Sequence, residues 1–254
     1  YVSGDGSSTY QIKDGVKHEI LDQASVQAAG IVLPPLTDVT IGAFKKLPWG
    51  APIAKNNSLI TNRTTGAKAI ISNGKYYELN ARTASDIDFS QWFSTTTGTL
   101  SSDGVSMINA LTPIRAIDAN SAGQAYLLGP NGKRPIENPT EFTPVAPNIA
   151  DTIFDVIPTT NEEKLTAPVL LRASGESATY LVRSAQRRLT LAAADRSKFG
   201  LTKSVAEIVV PSAYDQIALA DPVIAPGAFV QATTGGAKYL IDGFNRALQV
   251  STED

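Results

Sequence analysis

The chain has 254 residues, of which 43% are apolar and 18% charged, with a net charge of −2 and no cysteine. A chain of that length and apolar share can fill a sizeable core. The charge balance leaves no footprint for nucleic acid or an anionic membrane, and the missing cysteine excludes a disulfide scaffold and thiolate metal sites. No apolar run approaches the length of a membrane span, so no membrane insertion is expected.

A short strand-like segment with an anchor residue recurs along the chain. The anchors are Tyr10, Ala69, Tyr126, Tyr180 and Tyr239, spaced by 59, 57, 54 and 59 residues. Such a period sets the architecture before any single residue does. Each unit opens on a short apolar run: Tyr1–Val2, Leu59–Ile60, Ile114–Ile117, Val169–Leu171 and Ala228–Val230. A polar turn comes next, which in the first unit includes Gly4-Asp5-Gly6, and then the anchor strand, a tight turn and a second strand. Asp14-Gly15, Asn73-Gly74 and Asn131-Gly132 are hairpin signals, because two-residue hairpin turns need positive φ. Short helical stretches are predicted after them, over Gln23–Ala29, Asp86–Phe93, Thr140–Ala146 and Ala192–Phe199, the last closed by Gly200. A further strand is predicted at Val39–Ile41, Val105–Ile108, Ile153–Ile157 and Ala206–Val210.

Strands at this spacing predict an all-β protein with short helical inserts. Four strands per unit fit a propeller blade. The expectation is one repeat domain over residues 1–254, a five-bladed β-propeller of about 57-residue units. The units span about 1–57, 58–113, 114–167, 168–225 and, in part, 226–254. An open β-rich array is the alternative. The chain opens at Tyr1 inside a repeat, so a leader or upstream domain is expected to fall outside it.

Eight residues after the anchor stand His18, Tyr77, Arg134 and Arg188, and a fifth turn read as one residue shorter places Arg246 there. A ring of these side chains would offer sugars or acidic polymers planar donor forks and stacking faces. The same residues can instead buttress neighbouring repeats. Trp49, in Leu47-Pro48-Trp49-Gly50, is a candidate sugar platform, whereas Trp92 beside Phe89 and Phe93 reads as core. The anchor tyrosines also read as core, with hydrogen-bonded hydroxyls. His18 is the single histidine, which excludes a histidine-rich metal site. Asp86-Ile87-Asp88 and Gly4-Asp5-Gly6 lack the closing glutamate of a calcium loop. No phosphate-binding, dinucleotide or zinc-protease motif occurs. No catalytic residue, metal or cofactor is expected, and a copied pattern argues against an enzyme, whose site needs unlike residues converging.

The pattern Tyr-Leu-(Val/Ile/Leu)-x(4)-(Lys/Gln/Asn)-Arg-x-(Ile/Leu), a helix ending Phe-Gly-Leu and then Val-x-x-Val-Pro, is best carried by Ala125–Pro139 and Ala178–Val210. It resembles repeats of secreted, cell-wall-associated proteins of Gram-positive bacteria, chiefly actinobacteria. The copy at Lys68 departs from it, with Ala69 as anchor and Tyr76-Tyr77 where other copies carry cations. The resemblance implies an extracellular or cell-surface location and binding of wall or surface glycan, without known chemistry. The expected function is therefore a non-catalytic, lectin-like binding module with glycan and possibly other surface proteins as partners. The alternative is a structural or adhesion domain of a surface layer, fibre or appendage with protein partners, and a hydrolase propeller is a third reading.

Overall fold

The structure is a computed structural model that describes residues 2–3, 8–32, 39–93, 97–143, 149–190, 205–224, 226–232, 234–242 and 246–250. The helix expected at Ala192–Phe199, Gly200, the Gly4-Asp5-Gly6 loop and the last residues of Thr140–Ala146 lie outside the described residues. The protein is mostly β-strand, arranged in five small sheets with short helices between them. The chain divides into two compact units, Tyr1–Pro135 with Pro147–Glu162, and Ile136–Ala146 with Glu163–Asp254.

The first unit begins with β1 (Val2–Ser3), β2 (Thr9–Lys13) and β3 (Val16–Ile20), then helices α1 (Gln23–Ala28) and α2 (Ile41–Lys46). The second repeat holds β4 (Ser58–Asn62), β5 (Lys68–Ser72), β6 (Lys75–Glu78), α3 (Ala81–Asp86), β7 (Thr97–Leu100), α4 (Ser102–Ser106) and β8 (Asn109–Ala110). The third contributes β9 (Ile117–Ala119), β10 (Ala125–Gly129), β11 (Gly132–Pro135) and α5 (Asp151–Val156). In the second unit the fourth repeat carries β12 (Val169–Ala173), β13 (Tyr180–Arg183), β14 (Gln186–Thr190), β15 (Glu207–Val209), α6 (Pro211–Asp215) and β16 (Ala218–Val223). The fifth is β17 (Phe229–Gln231), β18 (Lys238–Ile241) and β19 (Ala247–Val250).

Each repeat thus opens on the expected antiparallel triplet. Beyond the triplet the chain departs from expectation. Val39–Ile41 leads into α2, Val105–Ile108 overlaps α4 and Ile153–Ile157 overlaps α5; only Ala206–Val210 contains a strand, β15. The reason is local for two of them: Thr40 Oγ1 accepts from the Ala43 N–H and Ser101 Oγ from the Gly104 N–H, so capping hydroxyls start helices where an apolar run alone is ambiguous. Asp86–Phe93 holds the end of α3 and a 3-10 turn at Phe89–Gln91, and Thr140 sits in a 3-10 turn, Pro139–Glu141.

The strand that closes a repeat runs parallel to the third strand. Lys17 bridges Trp49, β6 pairs with β8, Lys133 bridges Thr159 and β14 pairs with β16, all parallel. Parallel neighbours need a crossover, and the short helix supplies it. In the second and fourth repeats β7 and β15 also pair parallel with the first strand, giving sheet orders β7-β4-β5-β6-β8 and β15-β12-β13-β14-β16. Propeller blades are antiparallel. The five-bladed expectation is corrected to this mixed sheet, and no closed propeller is found among the described residues.

In the first unit Glu19 is fully buried at the joint between the first two repeats. Its carboxylate accepts from Ser8 Oγ (3.0 Å), Arg63 Nη2 (2.8 Å), and the backbone N–H (2.8 Å) and Oγ (2.6 Å) of Ser101, the residue that caps α4. A buried carboxylate is tolerated only when satisfied in this way.

The hairpins at Asp14-Gly15 and Asn73-Gly74 have positive φ at both turn residues, as expected. At Asn131-Gly132 the turn residues are instead Pro130 and Asn131, and Gly132 begins β11 at φ 137°. A Cβ there would collide with the Pro158 carbonyl oxygen, so close approach of the crossover requires this glycine. The hairpin of the fourth repeat has no glycine. Ser184 and Ala185 stand at φ 54° and 57°, held by Glu141, whose carboxylate accepts from the Ser184 N–H and whose carbonyl accepts from the Ala185 N–H. Left-handed backbone costs an L-residue roughly 1–2 kcal/mol. Replacing Ser184-Ala185 by Asn-Gly is expected to stabilise the fold by about 1 kcal/mol, read as a higher midpoint in urea at unchanged slope; a loss would show that the turn is not strained.

Candidate functional site

The row eight residues past the anchor exists as a structural row in four repeats. His18 pairs with Gln11, Tyr77 with Ile70, Arg134 with Leu127 and Arg188 with Leu181, so the four occupy one register position on the sheet face opposite the anchor. Arg246 is off it. In the fifth repeat Leu240 pairs with Leu248 and Ile241 with Ala247, so the turn is longer, not shorter, and Leu248 takes the position. Arg246 sits in that turn, with its guanidinium 2.6 Å from the Asp242 carboxylate.

The environments of the row differ. Tyr77 is buried, its hydroxyl pushed up from the ordinary tyrosine range by burial and partly restored by a hydrogen bond from the Ala150 backbone. Arg134 is buried and lies 3.4 Å from Glu162 Oε2. His18 Nδ1 is 2.8 Å from the Ala51 carbonyl oxygen. Arg188 is half-buried and donates to Gln186 Oε1. Trp49 is not an open platform. It is half-buried edge-on to Tyr10, with ring centroids 5.8 Å apart, and Lys17 Nζ lies 4.3 Å above its ring. None of the six lines the open depression of about 280 Å³ beside Lys68, Glu78 and Ala81.

The constellation that does recur lies one residue earlier, and on the anchor face. Lys17, Lys133 and Arg187 each stand seven residues past an anchor tyrosine. Each pairs across to the residue two past the anchor: Ile12, Leu128 and Val182. Lys17 Nζ donates to the Phe44 carbonyl at 3.4 Å. Lys133 Nζ donates to the Phe154 carbonyl and, at 2.6 Å, to the Ile157 carbonyl. Arg187 Nε donates to the Ile217 carbonyl at 3.0 Å. In each case the acceptors lie at the C-terminal end of the crossover helix, α2, α5 or α6. The helix returns an aromatic ring to the anchor: Tyr10–Phe44, Tyr126–Phe154 and Tyr180–Tyr214 centroids are 4.7, 5.0 and 5.2 Å apart. The cations also lie over these rings, at 4.6 Å for Lys17 on Phe44, 5.7 Å for Lys133 on Tyr126 and 5.1 Å for Arg187 on Tyr214. The sequence signal for this lock was present in the spacing Tyr-x(6)-Lys/Arg and in the helix-end pattern Phe44-x-x-Leu47, Phe154-x-x-Ile157 and Tyr214-x-x-Ile217.

The second repeat keeps the volume and changes the donors. Its anchor is Ala69, the residue seven on is Tyr76 and the helix residue is Val105, and all three share one buried cluster with Ile60, Ile71, Leu100 and Ile108. The ring that other repeats place on the second strand comes here from the third.

One buried acid breaks the pattern. Asp118 lies opposite Tyr126 on β9, where Ile60, Leu171 and Val230 lie opposite their anchors. It is fully buried; Oδ2 accepts from the Arg115 N–H at 2.6 Å and Oδ1 has no partner. Desolvation pushes its carboxyl well above the ordinary carboxylate range, against the opposing pull of the Arg115 N–H. Among the described residues no group of three or more His, Asp or Glu side chains is placed to hold a metal ion, and no helix is long and apolar enough to cross a membrane.

No family model and no curated protein matches the chain. Solved structures similar to it include two from one secretion complex. One is the periplasmic assembly from the ESX-5 inner membrane complex (C1 model), with 8% identity, a TM-score of 0.22, and coverage of 87% of this chain and 92% of that one. The other is an intact ESX-5 inner membrane complex (composite C3 model), with 10% identity, a TM-score of 0.19, and coverage of 86% and 78%. Neither likeness is close enough to assign a fold or a role.

Lys133→Met would leave the helix-end carbonyls of α5 without their donor and is expected to cost about 2–3 kcal/mol. Arg246→Ala, on an exposed turn, is expected to stay within about 0.5 kcal/mol of the parent in the same urea titration. For Asp118 the native state retains the proton above the pH at which the unfolded chain releases it, so stability falls as pH rises from the ordinary carboxylate range toward the raised native value. Asp118→Asn is therefore expected to match the parent near pH 4 and to melt higher than it at neutral pH; a constant difference across that range would place the ionised carboxylate in the native core.

Proposed function

We propose that this chain is a non-catalytic, extracytoplasmic repeat scaffold whose partners are proteins, as in a surface layer, appendage or envelope assembly. The observation that carries this reading is the internal use of the repeat signature. Tyr10, Tyr126 and Tyr180 and the cations seven residues on hold the crossover helices α2, α5 and α6 to their own sheets. Tyr77 and Arg134, candidates for a repeated ligand row, are buried against the chain itself. A signature that encodes packing defines a scaffold, as in other repeat arrays. Large apolar side chains that remain exposed, including Ile41, Phe229, Leu240 and Leu248, favour protein surfaces over glycan as partners. The absence of cysteine, the Thr-, Ser- and Asn-rich turns and the resemblance to wall-associated repeats support a place outside the cytoplasm.

The glycan-binding reading rests on Arg188, the one arginine of the row that is only half-buried. Purified protein titrated against wall polysaccharide and peptidoglycan fragments, beside Arg188→Ala, decides between the two. No saturable binding by either protein is the expected outcome. Saturable binding by the parent, lost in Arg188→Ala at an unchanged melting temperature, would return the function to glycan recognition.

A further inference from the structure

The open depression of about 280 Å³ in the second repeat has walls that backbone hydrogen bonds hold in place. One wall is the turn into β5, from Gly66 to Lys68. Asn62 fastens that turn: its Oδ1 accepts from the Thr64 and Thr65 N–H groups, and its carbonyl accepts from the Gly66 N–H at 2.8 Å. The other wall is the end of β6 with α3. There Asn80 Oδ1 caps the helix at the Arg82 and Thr83 N–H groups, and the Asn80 N–H donates to the Ile114 carbonyl. The Leu79 N–H donates to the Lys68 carbonyl at 2.8 Å and ties the two walls together. The depression is therefore preformed, as small-molecule sites usually are.

Its lining combines a small apolar surface with three exposed polar side chains. Leu79, Ala81 and Ala84 supply the first, and Lys68, Glu78 and Ser85 the second. Among the described residues Lys68 and Glu78 form no ion pair, with each other or with any third side chain, and Ser85 Oγ makes no hydrogen bond. The neighbouring charges are engaged elsewhere. Arg82 Nε lies 3.8 Å from Asp86 Oδ2, and the Asp88 carboxylate accepts from the Ser90 N–H and Oγ. Those two Ser90 bonds are what chiefly hold the Asp88 carboxyl below its ordinary range, with Lys68 the weakest of the pulls in that direction. Lys68 opens β5 and Glu78 ends β6, and since Glu78 pairs with Ala69, the two charged side chains leave opposite faces of the hairpin. An ammonium and a carboxylate that flank one depression from opposite faces, without closing on each other, leave room between them for a ligand carrying both charges.

We infer that this depression binds a small zwitterion, an amino acid or dipeptide with short side chains, whose carboxylate meets Lys68 and whose ammonium meets Glu78. The Ser85 hydroxyl can donate to the one group or accept from the other, and Leu79, Ala81 and Ala84 face the ligand's apolar part. The volume lies just under the roughly 300 Å³ at which drug-sized sites begin, which suits a ligand of one or two residues. The site is independent of the scaffold reading.

Amide chemical-shift titration of the full chain with L-alanine and with L-alanyl-L-alanine tests it, beside N-acetyl-L-alanine, which lacks the ammonium, and L-alaninamide, which lacks the carboxylate. Exposed charges contribute little each, so saturation is expected on the order of millimolar ligand. The expected result is saturable shifts at Lys68, Glu78 and Ser85 with at least one zwitterion, and binding at least about threefold weaker for both blocked compounds. A response to alanine alone sizes the site for one residue, and a response to the dipeptide alone sizes it for two. Lys68→Met and Glu78→Gln are each expected to weaken the zwitterion by a similar factor at an unchanged melting temperature, since both side chains are exposed. Shifts that do not saturate with either zwitterion, blocked compounds that bind as well, or variants that bind like the parent would each overturn the inference.

Discussion

Three of the four crossover helices are held by a cation from the third strand of their own repeat, which donates into the carbonyls at the helix end. The crossover helices have five or six residues. Helices that short are marginal on their own in water, and their last carbonyls have no partner within the helix. Lys17, Lys133 and Arg187 supply the missing donors, and a positive charge at that end also opposes the negative pole of the helix. The aromatic pair beneath them excludes water from the bond. Burial draws the Lys133 ammonium below its ordinary range, with Asp155 pulling the other way, so the lock carries a desolvation cost that its acceptors offset.

The second repeat shows that the volume matters more than the particular donors. Ala69, Tyr76 and Val105 replace Tyr, a cation and an aromatic, and the cluster stays buried. A lone tyrosine in place of a lysine here would crowd the core; with alanine opposite and valine on the helix, it fills the same space. The neighbouring hydroxyl environment is then apolar enough to push the Tyr76 phenol up, chiefly by burial and secondarily by Glu78. Compensated change of this kind is what close-packed interiors permit.

Much of the fold was legible from the sequence because the triplets are written in local code. The anchors, the Asp14-Gly15 and Asn73-Gly74 turns and the alternation around them fix hairpins without distant information. The crossover was not legible, since Val39–Ile41 and Ile153–Ile157 are apolar runs too short to separate helix from strand by periodicity. The helix lock was missed for a different reason. Strand side chains alternate faces, so choosing the residue eight past the anchor instead of seven selects the opposite face. Lys17 and His18 are adjacent in sequence, yet only Lys17 meets the helix. Arg246 was misplaced because the fifth turn gains length, a change invisible when only spacing is counted.

Repeat arrays bury each sheet against its neighbour, so the sheet faces between repeats are apolar by construction. The fifth sheet places Phe229, Leu240 and Leu248 in one row and keeps Lys238 and Gln231 beside it. Helix α2 has Ile41 exposed at the position where α5 carries Asp151, which accepts from Ser121 of its own repeat. The first, third and fourth repeats share one cation lock and the second fills the same place with Tyr76, so what varies along the chain is the donor set, while each crossover helix stays packed on its own sheet.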